Sequence, residues 1–205
     1  MKNIAVLESD FCIKKGLQFL LTKDEIRIRG MLNHFQALQL MLDDRYLDVI
    51  IMEIYDSKNS SIEGFNFIKK NKKSWENVRL IVLTELNSPI LIKTLMNFQP
   101  SAIISKRDAT SEIMMAFRHA AFDSGTYCSP AVIKMIKSSS HQALTCREFQ
   151  LLILMMRGRS PQEIASELNI SYKTVYTHKY NVMKKTGARN LVGLMQLLTE
   201  NKLIA

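Results

Sequence analysis

Cysteine is scarce in this sequence, and its three copies, Cys12, Cys128 and Cys146, are odd in number and far apart. That arrangement excludes a disulfide framework and a paired-cysteine zinc site, and predicts reduced, structural thiols. Only 7 glycines and 4 prolines occur in 205 residues, which excludes collagen-like and low-complexity chains. No apolar run approaches the roughly 18 residues that span a bilayer, so no transmembrane helix and no membrane association are expected. The opening segment reaches Glu8 and Asp10 before any apolar stretch long enough for a secretory signal, and a cytoplasmic location follows as an expectation.

What the chain does have is positive charge. The formal net charge is +9 at neutral pH, which points to a polyanionic partner. Residues 141–205 carry 9 Lys/Arg against 4 Asp/Glu, so less than a third of the chain holds more than half of the excess.

Up to about Gly125 the pattern alternates short β-branched runs with helical segments. Ile4–Leu7, Val49–Met52, Leu80–Leu83 and Ala102–Ile104 are continuously apolar, as strands buried on both faces require, and Ile26–Gly30 is a weaker edge candidate. Helices are expected at about 11–21, 33–43, 62–71, 88–97 and 110–123. Five strands alternating with five helices predict a parallel sheet covered on both faces. After the polar run Ser138–Gln142 the pattern becomes wholly helical. Thr145-Cys146-Arg147-Glu148 and Ser160-Pro161-Gln162-Glu163 are capping boxes, Gly158 and Gly187 are stops, and Ser171 and Asn190 open two further helices. The domains expected are 1–124, a linker over 125–143, and a four-helix domain over 144–205.

On a helical wheel advancing about 100° per residue from Val175, Val182 and Thr186 fall within about 20° of it and form a buried face. Lys173, Tyr176, Thr177, Tyr180 and Lys184 gather around 160°, on an exposed stripe. From Tyr172 to Thr186 there are four lysines and no acid. Lysine neutralises phosphates, and tyrosine and threonine reach phosphates, sugars or base edges in a groove wide enough for a helix. The short preceding helix and the turn at Asn169-Ile170-Ser171 make a helix–turn–helix whose second member is the basic one.

Leu144–Glu148, Gly158, Ser160, Glu163–Ala165, Leu168, Ile170-Ser171, Lys173–Val175, Thr177-His178, Val182–Lys185 and Gly187 resemble the LuxR-type helix–turn–helix. The resemblance covers about 60 residues without a gap. It implies Gln162–Leu168 as scaffold helix, Tyr172–Thr186 as recognition helix, and double-stranded DNA as partner. The DNA-facing set it implies is Lys173, Thr174, Tyr176, Thr177, Lys179, Tyr180 and Lys184. Thr186 departs from the usual leucine, and His178 is expected to be structural.

In open parallel sheets ligands gather at the carboxyl ends of the strands. Those ends offer Glu8, Ser9, Asp10, Glu53, Thr84 and Lys106. With Gly16, Gly64 and Gly125–Pro130, this arrangement resembles the receiver domain of two-component response regulators, and with the LuxR-type domain it resembles the NarL/FixJ class. That resemblance implies a flavodoxin-like sheet of order 2-1-3-4-5. Thr84 and Lys106 match the receiver's hydroxyl and lysine. Glu53 stands at the phosphoacceptor position in place of aspartate, Glu8-Ser9 replaces the acidic pair with Asp10 displaced by one, and Ile103 replaces a switch aromatic. Mg²⁺ needs clustered oxygen ligands and transfer needs an in-line carboxylate, so a degenerate receiver without metal, cofactor or phosphorylation is expected.

The function implied is a phosphorylation-independent transcription regulator, either a homodimer or a partner of an RcsB-like regulator. The alternative is a conventional phosphorelay protein using a non-standard acceptor. Two readings of the pocket stay open: Glu53 imitates a phosphorylated residue by facing Lys106 and Thr84, or the domain is a passive dimerisation platform. Dimer faces are expected on Pro89–Phe98 and Ser111–Phe122, or on the stripe Leu191, Leu194, Met195 and Leu198. An enzyme is not expected, because no Gly-rich phosphate loop, nucleophile elbow or metal-ligand cluster is present.

Overall fold

A computed structural model describes residues 2–22, 26–43, 47–55, 61–72, 77–122 and 125–200. Position 123 of the expected fifth helix, the side chain of Leu198 and residues 201–205 lie outside this description. The chain divides into two compact units: Met1–Glu85 with Phe98–Lys134, and Leu86–Asn97 with Met135–Ala205.

The first unit is built on strands β1 (Lys2–Leu7), β2 (Ile26–Leu32), β3 (Val49–Met52), β4 (Arg79–Thr84), β5 (Ala102–Ser105) and β6 (Tyr127–Cys128). They form one parallel sheet of order β2-β1-β3-β4-β5-β6. The helices of this unit are α1 (Phe11–Leu20), α2 (Phe35–Asp43), α3 (Ser61–Asn71) and α5 (Thr110–Phe122), and α4 (Pro89–Met96) lies between β4 and β5 in the chain. The central strands are apolar throughout because both faces are covered. Ile4, Val6, Ile51, Ile81, Leu83 and Ile104 pack with Leu17 and Leu21 at α1 and Ala116 and Phe117 of α5, while Ala5, Ile50, Met52, Val82 and Ile103, which alternate with them, are equally buried. The edge strand β2 is less buried and keeps Arg27 and Arg29 exposed, as an edge should.

The sheet has a sixth strand beyond the five expected. Tyr127-Cys128 is only two residues long and has no readable period; it is recruited through Tyr127 N–H to Ser101 O and Ser129 N–H to Ile103 O. The segment 125–143, expected to be a linker, thus holds β6 and a further helix α6 (Pro130–Lys137) before an irregular stretch.

The second unit contains α7 (Cys146–Met156), α8 (Pro161–Leu168), α9 (Tyr172–Thr186) and α10 (Leu191–Glu200). Both capping boxes form: Thr145 and Glu148 exchange side-chain and backbone bonds, as do Ser160 and Glu163. Asn169, Gly158 and Gly187 end their helices with φ of 51°, 73° and 73°, the left-handed region. Leu144, Phe149, Leu152, Ile164, Leu168, Val175, Val182 and Leu194 form the core. Helix α4 belongs to this unit. Lys93 Nζ donates to the carbonyls of Ser139 and His141, Asn97 Nδ2 donates to Leu144 O, and Leu144 N–H donates to Thr94 Oγ1.

All three cysteines are free, but Cys12 and Cys146 are exposed, so neither fills a core. Among the described residues no helix is long and apolar enough to cross a membrane, and no group of three His, Cys, Asp or Glu is placed to hold a metal ion.

Candidate functional site

Two sets of charged side chains stand out, one exposed and one buried. The exposed set lies on α9. Ser171 caps this helix by accepting from Thr174 N–H, and the left-handed Asn169 and the Ile170 N–H bond to Ala165 O shape the turn from α8. Burial of Val175, Val182 and Thr186 fixes the rotation of α9 about its axis. Lys173, Tyr176, Thr177, Tyr180 and Lys184 are therefore all exposed, while Thr174 and Lys179 at the stripe's margins are half-buried. Thr174 also spends its hydroxyl on Ser171 Oγ at 2.8 Å.

The departure at Thr186 costs the core little. Its hydroxyl is buried but accepted by the carbonyls of Val182 and Met183, as helical threonines commonly arrange. Beneath α9, Lys185 Nζ lies 2.7 Å from the buried Glu148 carboxylate, which the Thr145 cap also engages. Burial pushes the Glu148 carboxyl up, but Lys185 and Thr145 outweigh it and hold it below the usual carboxylate range. His178 is half-buried beside this face.

The buried set lies at the carboxyl edge of the sheet. Parallel pairing continues one residue past three strands, through Glu8 N–H to Leu32 O, Glu53 N–H to Leu7 O and Lys106 N–H to Thr84 O. Glu8 and Glu53 are each 2% exposed. Lys106 Nζ lies 2.7 Å from Glu8 Oε2 and 3.1 Å from Glu53 Oε2. Glu53 further accepts from Ile54 N–H at 2.7 Å, from Glu85 N–H at 3.1 Å and from the Thr84 hydroxyl. Gly64 permits this packing, since a Cβ there would sit 2.1 Å from Ile54 O in the segment that follows Glu53.

Two carboxylates thus share one ammonium inside the protein. Burial raises the Glu53 carboxyl above its ordinary range against the pull of Lys106, Thr84 and Ile54. Burial works the other way on Lys106, but the two glutamates outweigh it and raise its pKa.

Of the six pocket residues expected, the structure brings four together: Glu8, Glu53, Thr84 and Lys106. Ser9 and Asp10 are exposed, and Asp10 caps α1 by accepting from Ile13 N–H at 2.9 Å. They lie outside the pocket because the chain leaves the sheet after Glu8. Among the described residues this donor set does not fit Mg²⁺, which needs near-octahedral oxygen and retained waters: both carboxylates are buried against Lys106, and the Asp10 carboxylate caps α1. Glu85, whose N–H holds Glu53, was not anticipated; backbone donors carry no sequence signal.

The expected dimer surfaces differ in availability. In α4 the residues Ile90, Leu91, Ile92 and Leu95 are buried within the chain. On α10 Leu191 is exposed, Met195 half-buried and Leu194 fully buried.

Residues 142–198 match the family of bacterial regulatory proteins called the luxR family. The transcriptional regulatory protein UhpA of Escherichia coli K12 is 27% identical over 195 residues, covering 95% of this chain and 96% of UhpA. RcsB of the same organism is 26% identical over 211 residues, covering 97% and 95%. Among solved structures, RcsB of Salmonella enterica serovar Typhimurium, bound to promoter rprA in the presence of phosphomimetic BeF3-, superposes with a TM-score of 0.72 at 22% identity, covering 97% of this chain and 98% of that one. Its isolated receiver domain matches with a TM-score of 0.58 over 66% of this chain. The chain therefore joins a receiver-like parallel sheet to a helical domain that matches the luxR family, and over nearly its whole length it is similar to the transcriptional regulatory proteins UhpA and RcsB.

Proposed function

We propose that this protein is a cytoplasmic DNA-binding transcription regulator whose residues 144–205 bind the duplex and whose receiver-like residues 1–124 act without phosphorylation. One observation carries the DNA reading: α9 exposes Lys173, Tyr176, Thr177, Tyr180 and Lys184 together, with no acid in the helix, on the second member of a helix–turn–helix. Cations there meet phosphates while phenols and hydroxyls face base edges. Solved structures of similar fold include the complex of the response regulator RcsB with DNA. Lys173→Ala and Lys184→Ala should each weaken duplex binding by the full chain and lower the slope of log affinity against log salt by about one. Unchanged affinity and slope in both folded variants would sink the assignment.

Phosphorylation independence is supported by the buried pocket. Glu53 holds its carboxylate against Lys106 and Thr84 and fixes the backbone at Glu85, just before the N-cap of α4 at Ser88. A carboxyl group held in those contacts with Lys106 and Thr84 imitates a modified receiver. Intact-mass spectrometry after acetyl phosphate and Mg²⁺ treatment should find no phosphoryl adduct; a stoichiometric adduct on an acidic residue overturns this part. Dimerisation, with itself or with an RcsB-like regulator, is part of the proposal, since a two-fold pair sets two recognition helices about one DNA turn apart. Solved RcsB assemblies include two dimers bound to two DNAs.

A further inference from the structure

Three tyrosines stand on α9 at successive turns: Tyr172, Tyr176 and Tyr180, 46%, 45% and 66% exposed. Tyr172 is outside the DNA-facing set read from the sequence, yet it is bound to a member of that set. The Tyr172 and Tyr176 rings meet edge to face, centroids 4.9 Å apart at 64°, and their hydroxyl oxygens are 2.8 Å apart. Tyr180 makes no hydrogen bond among the described residues, so the pair is a distinct feature of the first two turns.

A phenol hydroxyl has one proton to donate and lone pairs to accept with. A hydroxyl pair uses one proton internally and keeps the other. Either hydroxyl can be the donor in this bond, so one proton of the pair stays free whichever way it runs. In either case the ring contact and the hydroxyl bond to Tyr172 hold the ring and oxygen of Tyr176 in place. The proton then requires an acceptor outside the chain, on a helix side that carries no carboxylate.

We propose that Tyr172 is a positioning residue that fixes the Tyr176 side chain on the exposed face, so that the pair, with one free proton, selects duplexes offering an acceptor on the major-groove edge. Purine N7, guanine O6 and thymine O4 meet this need, whereas the cytosine amino group opposes it. The inference rests on the reading of α9 as the DNA-facing helix. A phosphate oxygen has the same acceptor chemistry, but contact with it carries no sequence preference.

The test uses the full chain and a random-sequence duplex pool. Duplexes selected by the wild type are varied one base pair at a time, and affinities are compared for wild type, Tyr172→Phe, Tyr176→Phe and the double variant. We expect Tyr172→Phe to flatten the preference by about fivefold, the scale of one hydrogen bond, at one or two adjacent pairs where an acceptor-bearing base is favoured. The double variant should be no worse than Tyr176→Phe alone, because the two residues act as one unit. An unchanged preference profile in Tyr172→Phe overturns the proposal. So does a uniform loss across all sequences that a single neutral methylphosphonate reproduces in the wild type, which would place the acceptor on the backbone. If the wild type binds no duplex at all, the DNA reading itself fails and this inference falls with it.

Discussion

The strand-end pocket and the outer side of α9 both concentrate charged residues, but they treat charge in opposite ways. In the pocket, Glu8 and Glu53 are buried and pair with the half-buried Lys106. On α9, Lys173 and Lys184 are exposed, of one sign and without a salt-bridge partner among the described residues. The first arrangement pairs its charges with one another among the described residues. The second is complete only when an anion arrives. Burial rather than residue type separates a retained architectural charge from one offered to a partner.

The most severe break of this comparison is Lys106→Met. Two buried carboxylates would lose their counter-charge, costing about 3–5 kcal/mol of stability at neutral pH. The pH dependence has a definite sign. Glu53 is raised in the folded state, so its contribution is fully present below its ordinary pKa and lost as pH rises through the folded value. The deficit of Lys106→Met should therefore shrink on acidification toward the carboxylate range. Urea unfolding of both proteins across pH checks this; a deficit that stays constant contradicts a buried-charge origin.

Glu53→Gln is a gentler probe, because Glu8 still neutralises Lys106. The variant should remain folded while DNA affinity or dimerisation falls about tenfold, the scale of a lost charge-assisted bond acting on a two-state element. Wild-type reporter output would leave the domain a passive platform. The smallest effect is expected on α9, where Lys173→Ala and Lys184→Ala should alter unfolding free energy by less than about 0.5 kcal/mol, as surface changes do. A larger thermal or urea shift would make these lysines structural.

Much of this was legible in the sequence. Continuous apolar runs mark strands covered on both faces, and β1, β3, β4 and β5 are those runs. Capping chemistry located α7, α8 and α9 because a Ser or Thr that accepts from the N–H three residues on has a local physical purpose, reinforced in α7 and α8 by a Glu at that position. The wheel on Val175 placed the exposed stripe because 3.6-residue periodicity and a buried face define every other direction on a helix. Local signals fail where the structure is decided at a distance. Tyr127-Cys128 becomes a strand only because β5 offers an open edge, and Lys93, Thr94 and Asn97 tie α4 to residues 139–144 across 46 or more positions. Asp10 shows the same limit within the site: spacing put it near Glu8, but its carboxylate is committed to capping α1. The Tyr172–Tyr176 bond was also out of reach, since it depends on rotamers.

The central claim, a DNA-binding regulator whose pocket acts without phosphorylation, is tested most directly by measuring duplex affinity of the full chain before and after incubation with acetyl phosphate and Mg²⁺. The account predicts salt-dependent binding that is equal in the two samples. Binding that appears or strengthens only after treatment, together with a phosphoryl adduct on an acidic residue, would contradict it.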